Sequence, residues 1–126
     1  MKYLAAVYMD EKRRREMPDA EWERLIADCI PYGEELRRSG HLLSGAPLHP
    51  PSTATTLRLN GDQLVVTDGP FAETKEVLGG YHLLECKDLD EALAISARWP
   101  GLRWGLTLEV RPVYGGGCGG IFLTES

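Results

Sequence analysis

Four ionisable side chains, Asp68, Glu73, Lys75 and Glu76, crowd around the short block Gly69-Pro70-Phe71. A carboxylate so placed can act as a general base, or as a hydrogen-bond acceptor at the mouth of a cavity. Glu73 and Lys75 would then tune its charge or hold an anionic ligand. The same residues also suit a shaped turn. The Asp68 side chain can bond nearby amides, Gly69 permits unusual φ, and Pro70 fixes the next step of the chain. In that case Phe71 plugs a pocket or the seam between two subunits. Pure turns rarely need so many ionisable groups together, so both readings stay open, with Asp68 as the catalytic candidate.

Further candidates for a ligand-lined cavity are Tyr8, Ser44 and His49, the last beside Pro50 at what would be a pocket mouth. A packed tyrosine, a solvated serine and a loop histidine would look the same in sequence. The three histidines, His41, His49 and His82, fall on separate elements without ligand spacing, so no metal site is expected. His82 neighbours Tyr81 on a strand, so one of the two faces the helices and the other faces away. Cys29 lies on an apolar helix stripe and reads as core. Cys118 sits among glycines with nothing near it to lower its pKa. No nucleophile elbow, phosphate loop or dinucleotide fingerprint is present, and Gly79-Gly80 precedes a strand where it cannot cradle a phosphate. No cofactor is expected.

These residues need elements to position them. Tyr3 to Met9 is a continuous apolar, β-prone run, the pattern of a strand covered on both faces. Pro18 suits the first residue of a helix. From there Trp22, Leu25, Ile26, Cys29, Ile30, Gly33 and Leu36 recur with helical period and form one apolar stripe. Pro31 inside it predicts a kink or break near Ala27 to Ile30, and Ser39-Gly40 ends the helix. His41 to Thr53, with Pro47, Pro50 and Pro51, reads as a strand or loop at a sheet edge. Thr55 to Leu59 and Gln63 to Thr67 form a hairpin across Asn60-Gly61-Asp62. Tyr81 to Cys86 is a strand. Asp88 and Glu91 cap a second helix whose face carries Leu89, Ala92, Leu93, Ser96 and Trp99. Pro100-Gly101 stops it, and Leu106 to Arg111 alternates as a half-buried strand.

This order predicts an α+β fold of ferredoxin-like βαββαβ type: an antiparallel sheet with two helices on one face. If the other face is apolar, a second copy of the chain would cover it, giving a homodimer with a barrel-like interior, a dimeric α+β barrel.

At 126 residues the chain fits one domain, residues 1–114, which is long enough to bury a core without metal or disulfide staples. Residues 115–126 are a glycine-rich tail with a short β-prone piece, Ile121-Phe122-Leu123, that could pair at a sheet edge. Hydrophobic residues make up 43% and charged residues 26%, as in ordinary globular domains. The net charge of -5 comes without a basic patch interleaved with aromatics, which argues against a nucleic-acid partner. Lys12-Arg13-Arg14-Arg15 is flanked by Asp10, Glu11 and Glu16 and reads as a solvated mixed-charge loop. An odd, scattered set of three cysteines suits a reduced, cytoplasmic compartment. The opening residues read as a strand rather than a signal segment, and no run approaches the length of a membrane helix.

The block Val66-Thr67-Asp68-Gly69-Pro70-Phe71-Ala72-Glu73-Thr74-Lys75-Glu76, with Leu78-Gly79-Gly80-Tyr81, resembles the signature of DGPF-domain proteins in the YCII-related family. Lys2-Tyr3-Leu4, Pro50 to Thr56, Asp88 to Ala92 and Glu109 to Pro112 agree with it. The resemblance covers residues 1 to 113, and the tail lies outside it. It implies a dimeric α+β barrel. Relatives in the wider superfamily include isomerases and dehydrochlorinases acting on small cyclic or aromatic compounds. Other members are encoded near alternative sigma factors, which implies a regulatory or accessory role. Some YCII-type proteins pair a histidine near the start of the first helix with an aspartate. This chain has no histidine between Asp10 and Gly40, so that pairing has no counterpart here. Two functions therefore stand side by side: a dimeric module binding a small ligand or a regulatory partner, and a small-molecule enzyme with Asp68 as acid or base.

Overall fold

A computed structural model describes residues 1–115; Cys118 and the β-prone piece of the tail lie outside the described residues. The chain runs β1 (Lys2–Asp10), α1 (Glu11–Glu16), α2 (Asp19–Arg38), β2 (Leu42–Pro47), β3 (Thr55–Asn60), β4 (Gln63–Asp68), β5 (Glu76–Glu85), α3 (Leu89–Ala97) and β6 (Thr107–Pro112). Short 3₁₀ turns stand at Pro51–Thr53 and Pro100–Trp104. The main sheet has the order β2-β5-β1-β6, and each neighbouring pair is antiparallel. Taking these four strands in chain order, the two central ones are the first and third, which is the ferredoxin-like arrangement.

The register sorts the side chains by face. On β1, Tyr3, Ala5, Val7 and Met9 are buried towards the helices, opposite Leu84, His82, Gly80 and Val77 of β5. Leu25, Tyr32 and Leu36 of α2 and Ala92 and Ile95 of α3 close this core from above. Leu4 and Tyr8 point the other way and are only half-buried, so one chain covers β1 fully on one face alone. Among the described residues, no helix is long and apolar enough to cross a membrane.

Local signals explain most element ends. Gly40 takes φ 82, while the His41 amide donates to the Leu36 carbonyl at 2.9 Å and the Gly40 amide to that of Arg37 at 3.2 Å. This is the left-handed glycine ending expected after Ser39. Asp88 Oδ1 accepts from the Glu91 amide at 2.9 Å, and Glu91 Oε1 accepts from the Lys87 amide, so the cap of α3 forms as its sequence implies. Gly61, with φ 63, turns the chain between the paired residues Asn60 and Gln63.

Several expectations change. The hairpin β3-β4 stands apart as its own two-stranded sheet, and the second strand of the main sheet is the proline-flanked Leu42–Pro47. The two hairpin strands satisfy each other's backbone groups, while Pro47, Pro50 and Pro51 lead the chain away from the sheet edge. Helix α2 runs unbroken through Pro31, because packing of its buried face outweighs one lost bond. Its buried face is centred on Leu25, Tyr32 and Leu36, leaving Ile30 51% exposed at the flank. In α3 the buried face is Ala92, Ile95 and Ser96, with Leu89 and Leu93 exposed.

The basic run is not a solvated loop. It forms α1, whose N-terminus Asp10 caps by accepting from the Arg13 amide at 2.9 Å. Arg14 is only 6% exposed, and its guanidinium lies 3.9 Å above the Trp22 ring. Arg13 donates to the Trp104 carbonyl. Burial pushes the Arg14 pKa down, with Asp19 opposing that shift. Replacing Arg14 by Ala removes both the stacked cation and its aliphatic stem from Trp22. We expect a loss of about 2 kcal/mol in urea denaturation and an altered Trp22 emission.

Candidate functional site

The residues singled out in the sequence fall into separate places. Asp68 ends β4 on the exposed hairpin, and Phe71 beyond it is 77% exposed. Glu73 and Lys75 are exposed in the connection to β5, where the Lys75 carbonyl accepts from the Glu11 amide at 2.7 Å. His49 is exposed just after β2. Tyr8 and Ser44 lie on the sheet face turned away from the helices, Tyr8 opposite Leu78 and Ser44 opposite Leu83. The Ser44 hydroxyl is 3.3 Å from that of Tyr81. The structure thus keeps Asp68, Phe71, Glu73 and Lys75 near one another along the chain, and sets Tyr8 and Ser44 apart from them.

A cavity of about 280 Å³ opens elsewhere, between the flank of α2 and the β2-β5 side of the sheet, and none of those seven residues lines it. Its roof is Trp22, Ile26, Ile30 and Gly33 of α2, and its floor is Gly45, Gly79 and Gly80. The space exists because side chains are missing. Gly80 faces the helices opposite Val7, and Gly45 is paired with His82. At both positions a glycine is required by close strand approach. A Cβ on Gly45 would stand 2.9 Å from the Tyr81 carbonyl oxygen, and one on Gly80 2.9 Å from that of Ala46. Gly79 is the extra residue of a bulge where β1 shifts register between Val7 and Tyr8. Gly33 leaves the matching gap above, with only Leu42 within reach of a Cβ, at 3.8 Å.

The inner end of the cavity is aromatic. His82 takes the helix-facing side of β5, which resolves the alternation with Tyr81. Its ring is 5.4 Å from that of Trp99 in an edge-on arrangement and 6.1 Å from that of Tyr32. Burial alone pushes the His82 pKa down to about 4, so the imidazole is neutral at pH 7. Its Nδ1 is sealed from solvent without a partner. The Tyr32 hydroxyl donates to the Ile95 carbonyl at 3.0 Å, and burial raises its pKa to about 12. Cys29 also lines the space. Burial raises its thiol pKa, and the neighbouring Gly101 backbone and Trp99 indole oppose that rise. At the mouth stand Glu34 and Arg37, one turn apart on α2, and among the described residues neither enters an ion pair.

This arrangement can enclose a small, mostly apolar molecule and offer it one neutral imidazole. Sequence reasoning missed the cavity, although two signals were present: His82 alternating with Tyr81, and glycines at 33, 45, 79 and 80 on segments that the fold brings together.

Comparison with known proteins bears on descent more than on chemistry. An uncharacterised protein of Rhizobium meliloti (strain 1021) is 40% identical over 93 residues, covering 74% of this chain and 75% of that one. Among solved structures, 5-chloro-2-hydroxyhydroquinone dehydrochlorinase from Burkholderia phenoliruptrix AC1100, in complex with 2,5-dihydroxybenzoquinone, matches with a TM-score of 0.48 at 20% identity. That match covers 92% of this chain and 96% of that one, and it is too loose to carry chemistry from one to the other. The model of the YCII-related domain matches residues 1–114. With strand order, register and this match in agreement, the chain belongs to the YCII-related domain family.

Proposed function

We propose that this chain is a ligand-binding module that holds a small ring compound in the cavity between α2 and the β2-β5 side of the sheet. One observation carries the reading. A space of about 280 Å³ is walled by apolar and aromatic side chains, and its strand floor includes Gly45 and Gly80, where close strand approach requires glycine. Apolar clefts with few polar groups are the usual form of small-molecule sites. Among the described residues no carboxylate pairs with His82, so binding is favoured over catalysis there. The acid–base reading of Asp68 rests on what a second copy of the chain would bring against the exposed hairpin.

Gly33→Phe tests the site. The new ring projects into the cavity from a helical position with room for it, and it replaces a residue that weakens helices. Indole at ten times its Kd should raise the melting temperature of the natural protein by roughly 5 °C, corresponding to about 1.4 kcal/mol. The variant should fold and show no shift. An equal shift in both proteins would place the ligand elsewhere.

We further propose that the working unit is a homodimer. Leu57, Leu59, Leu64 and Val66 line one face of the β3-β4 hairpin and are all more than half exposed, Leu59 at 71%. Leu4, Tyr8, Leu78, Tyr81 and Leu83 share the uncovered face of the main sheet. Apolar surface on this scale is uncommon on a monomer, and an isolated two-stranded ribbon is marginal in water. Light scattering at micromolar concentration should give twice the chain mass of 14.0 kDa. A single-chain mass would refute the dimer.

A further inference from the structure

We propose that the cavity selects a neutral, planar ring compound carrying a carbonyl-type hydrogen-bond acceptor, which takes its bond from Nε2–H of His82. The proposal rests on the reading of this cavity as the ligand site and adds the class of its ligand.

The two ring nitrogens of His82 meet different surroundings. Nδ1 of His82 is shut off from solvent and has no hydrogen-bond partner, whereas Nε2 is not sealed in this way and His82 lines the cavity. A neutral imidazole carries one proton and one lone pair. A buried N–H without an acceptor is among the rarest features of folded proteins, and an unfilled acceptor is tolerated more often. The proton therefore belongs on Nε2, and the cavity meets a donor. The Cδ2 edge beside Nε2 faces β2, since a Cβ on Gly45 would lie 3.4 Å from it. The indole N–H of Trp99 is sealed too and lies beside the Cys29 thiol. The imidazole is thus the polar anchor at the inner end.

Charge decides the rest. The imidazole is neutral at pH 7, its pKa held at about 4, so it offers an ion no counter-charge. At the mouth, Glu34 and Arg37 bring opposite charges one turn apart on α2, so the rim carries no net charge from this pair. An anion drawn in by Arg37 meets Glu34, and a cation meets the reverse. Burying an unpaired charge among Trp22, Ile30 and Trp99 is strongly unfavourable. A neutral ring loses little water and gains the indole and isoleucine surfaces. A carbonyl on it adds one hydrogen bond, worth about 1 kcal/mol.

Three probes of similar shape separate these contributions: acetophenone, ethylbenzene and benzoate. Each is titrated into the natural protein at pH 7.5 and followed by amide and indole N–H shifts of the cavity residues. Acetophenone should bind about five-fold more tightly than ethylbenzene, and benzoate at least ten-fold more weakly than acetophenone. In His82→Leu, acetophenone and ethylbenzene should bind alike. If ethylbenzene matches acetophenone in the natural protein, the hydrogen bond is refuted while the cavity stands as a ligand site. If benzoate binds most tightly, the selection for neutral ligands is refuted. If none of the three moves the cavity resonances, the ligand class and the binding reading fall together. Should His82→Leu fail to fold, the ranking in the natural protein still decides.

Discussion

Gly101→Ala should destabilise the protein by about 3 kcal/mol, a large effect for one added methyl. Its Cβ would land on the Trp99 indole, on top of Cη2 and Cζ2 and 2.5 Å from Cζ3. That ring is 5% exposed and is fixed against His82, so it cannot swing away without opening the core. The Gly101 carbonyl also accepts from the Leu106 amide at 3.2 Å, which ties the turn to the start of β6. Displacing Trp99 moves one wall of the cavity, so ligand affinity should fall together with stability. Urea denaturation and tryptophan emission check both consequences. A change below 0.5 kcal/mol would mean that Trp99 is not packed as described. Gly33→Ala is the counterpart: it adds a methyl in a helix at ordinary van der Waals distance from Leu42, 3.8 Å, and should stabilise by about 1 kcal/mol.

The second large effect is in pH dependence. Folded His82 has its pKa pushed from 6.5 down to about 4 by burial. As pH falls below 6.5 the unfolded chain takes up this proton and the folded chain does not, so stability drops across the window and levels off below about 4. The full shift corresponds to about 3.4 kcal/mol. Because the ring is only half-buried, we expect a loss on the order of 2 kcal/mol between pH 7.5 and 4.5. Glu85, whose pKa is lowered chiefly by its hydrogen bond from the terminal ammonium at 2.7 Å, acts in a different window. Its contribution is lost only as pH falls below 4.5. Denaturation curves at the two pH values, compared with His82→Leu, isolate the histidine. The variant should lose most of the slope, and an unchanged slope would show that His82 titrates normally.

Local chemistry made much of the fold legible. Ser39-Gly40 ends α2, Asp88 and Glu91 cap α3, and Gly61 turns the hairpin because each acts through backbone groups within a few residues. Element order then constrained the sheet. What could not be read depends on distant pairing. Whether the hairpin joins the main sheet is decided by competition for the edge of β5, which β2 takes. Arg14 reads as solvated in sequence because nothing in Lys12 to Arg15 shows that Trp22 will lie beneath it. The cavity is hardest of all to see in sequence, since it is built from missing side chains on α2, β2 and β5 brought into register. The Asp68 block shows the reverse: it is conspicuous in sequence, and in one chain it lies exposed on the hairpin. A motif names its residues without naming the surface that will enclose them.

We propose the cavity beside His82, rather than the Asp68 block, as the ligand site. A titration of the ¹⁵N-labelled protein with acetophenone tests it most directly. The expected result is a set of saturable shifts centred on Gly33, Gly80, His82 and the indole N–H groups of Trp22 and Trp99. Shifts centred instead on Asp68 to Lys75 and the hairpin from Leu57 to Val66, with the cavity unmoved, would contradict it.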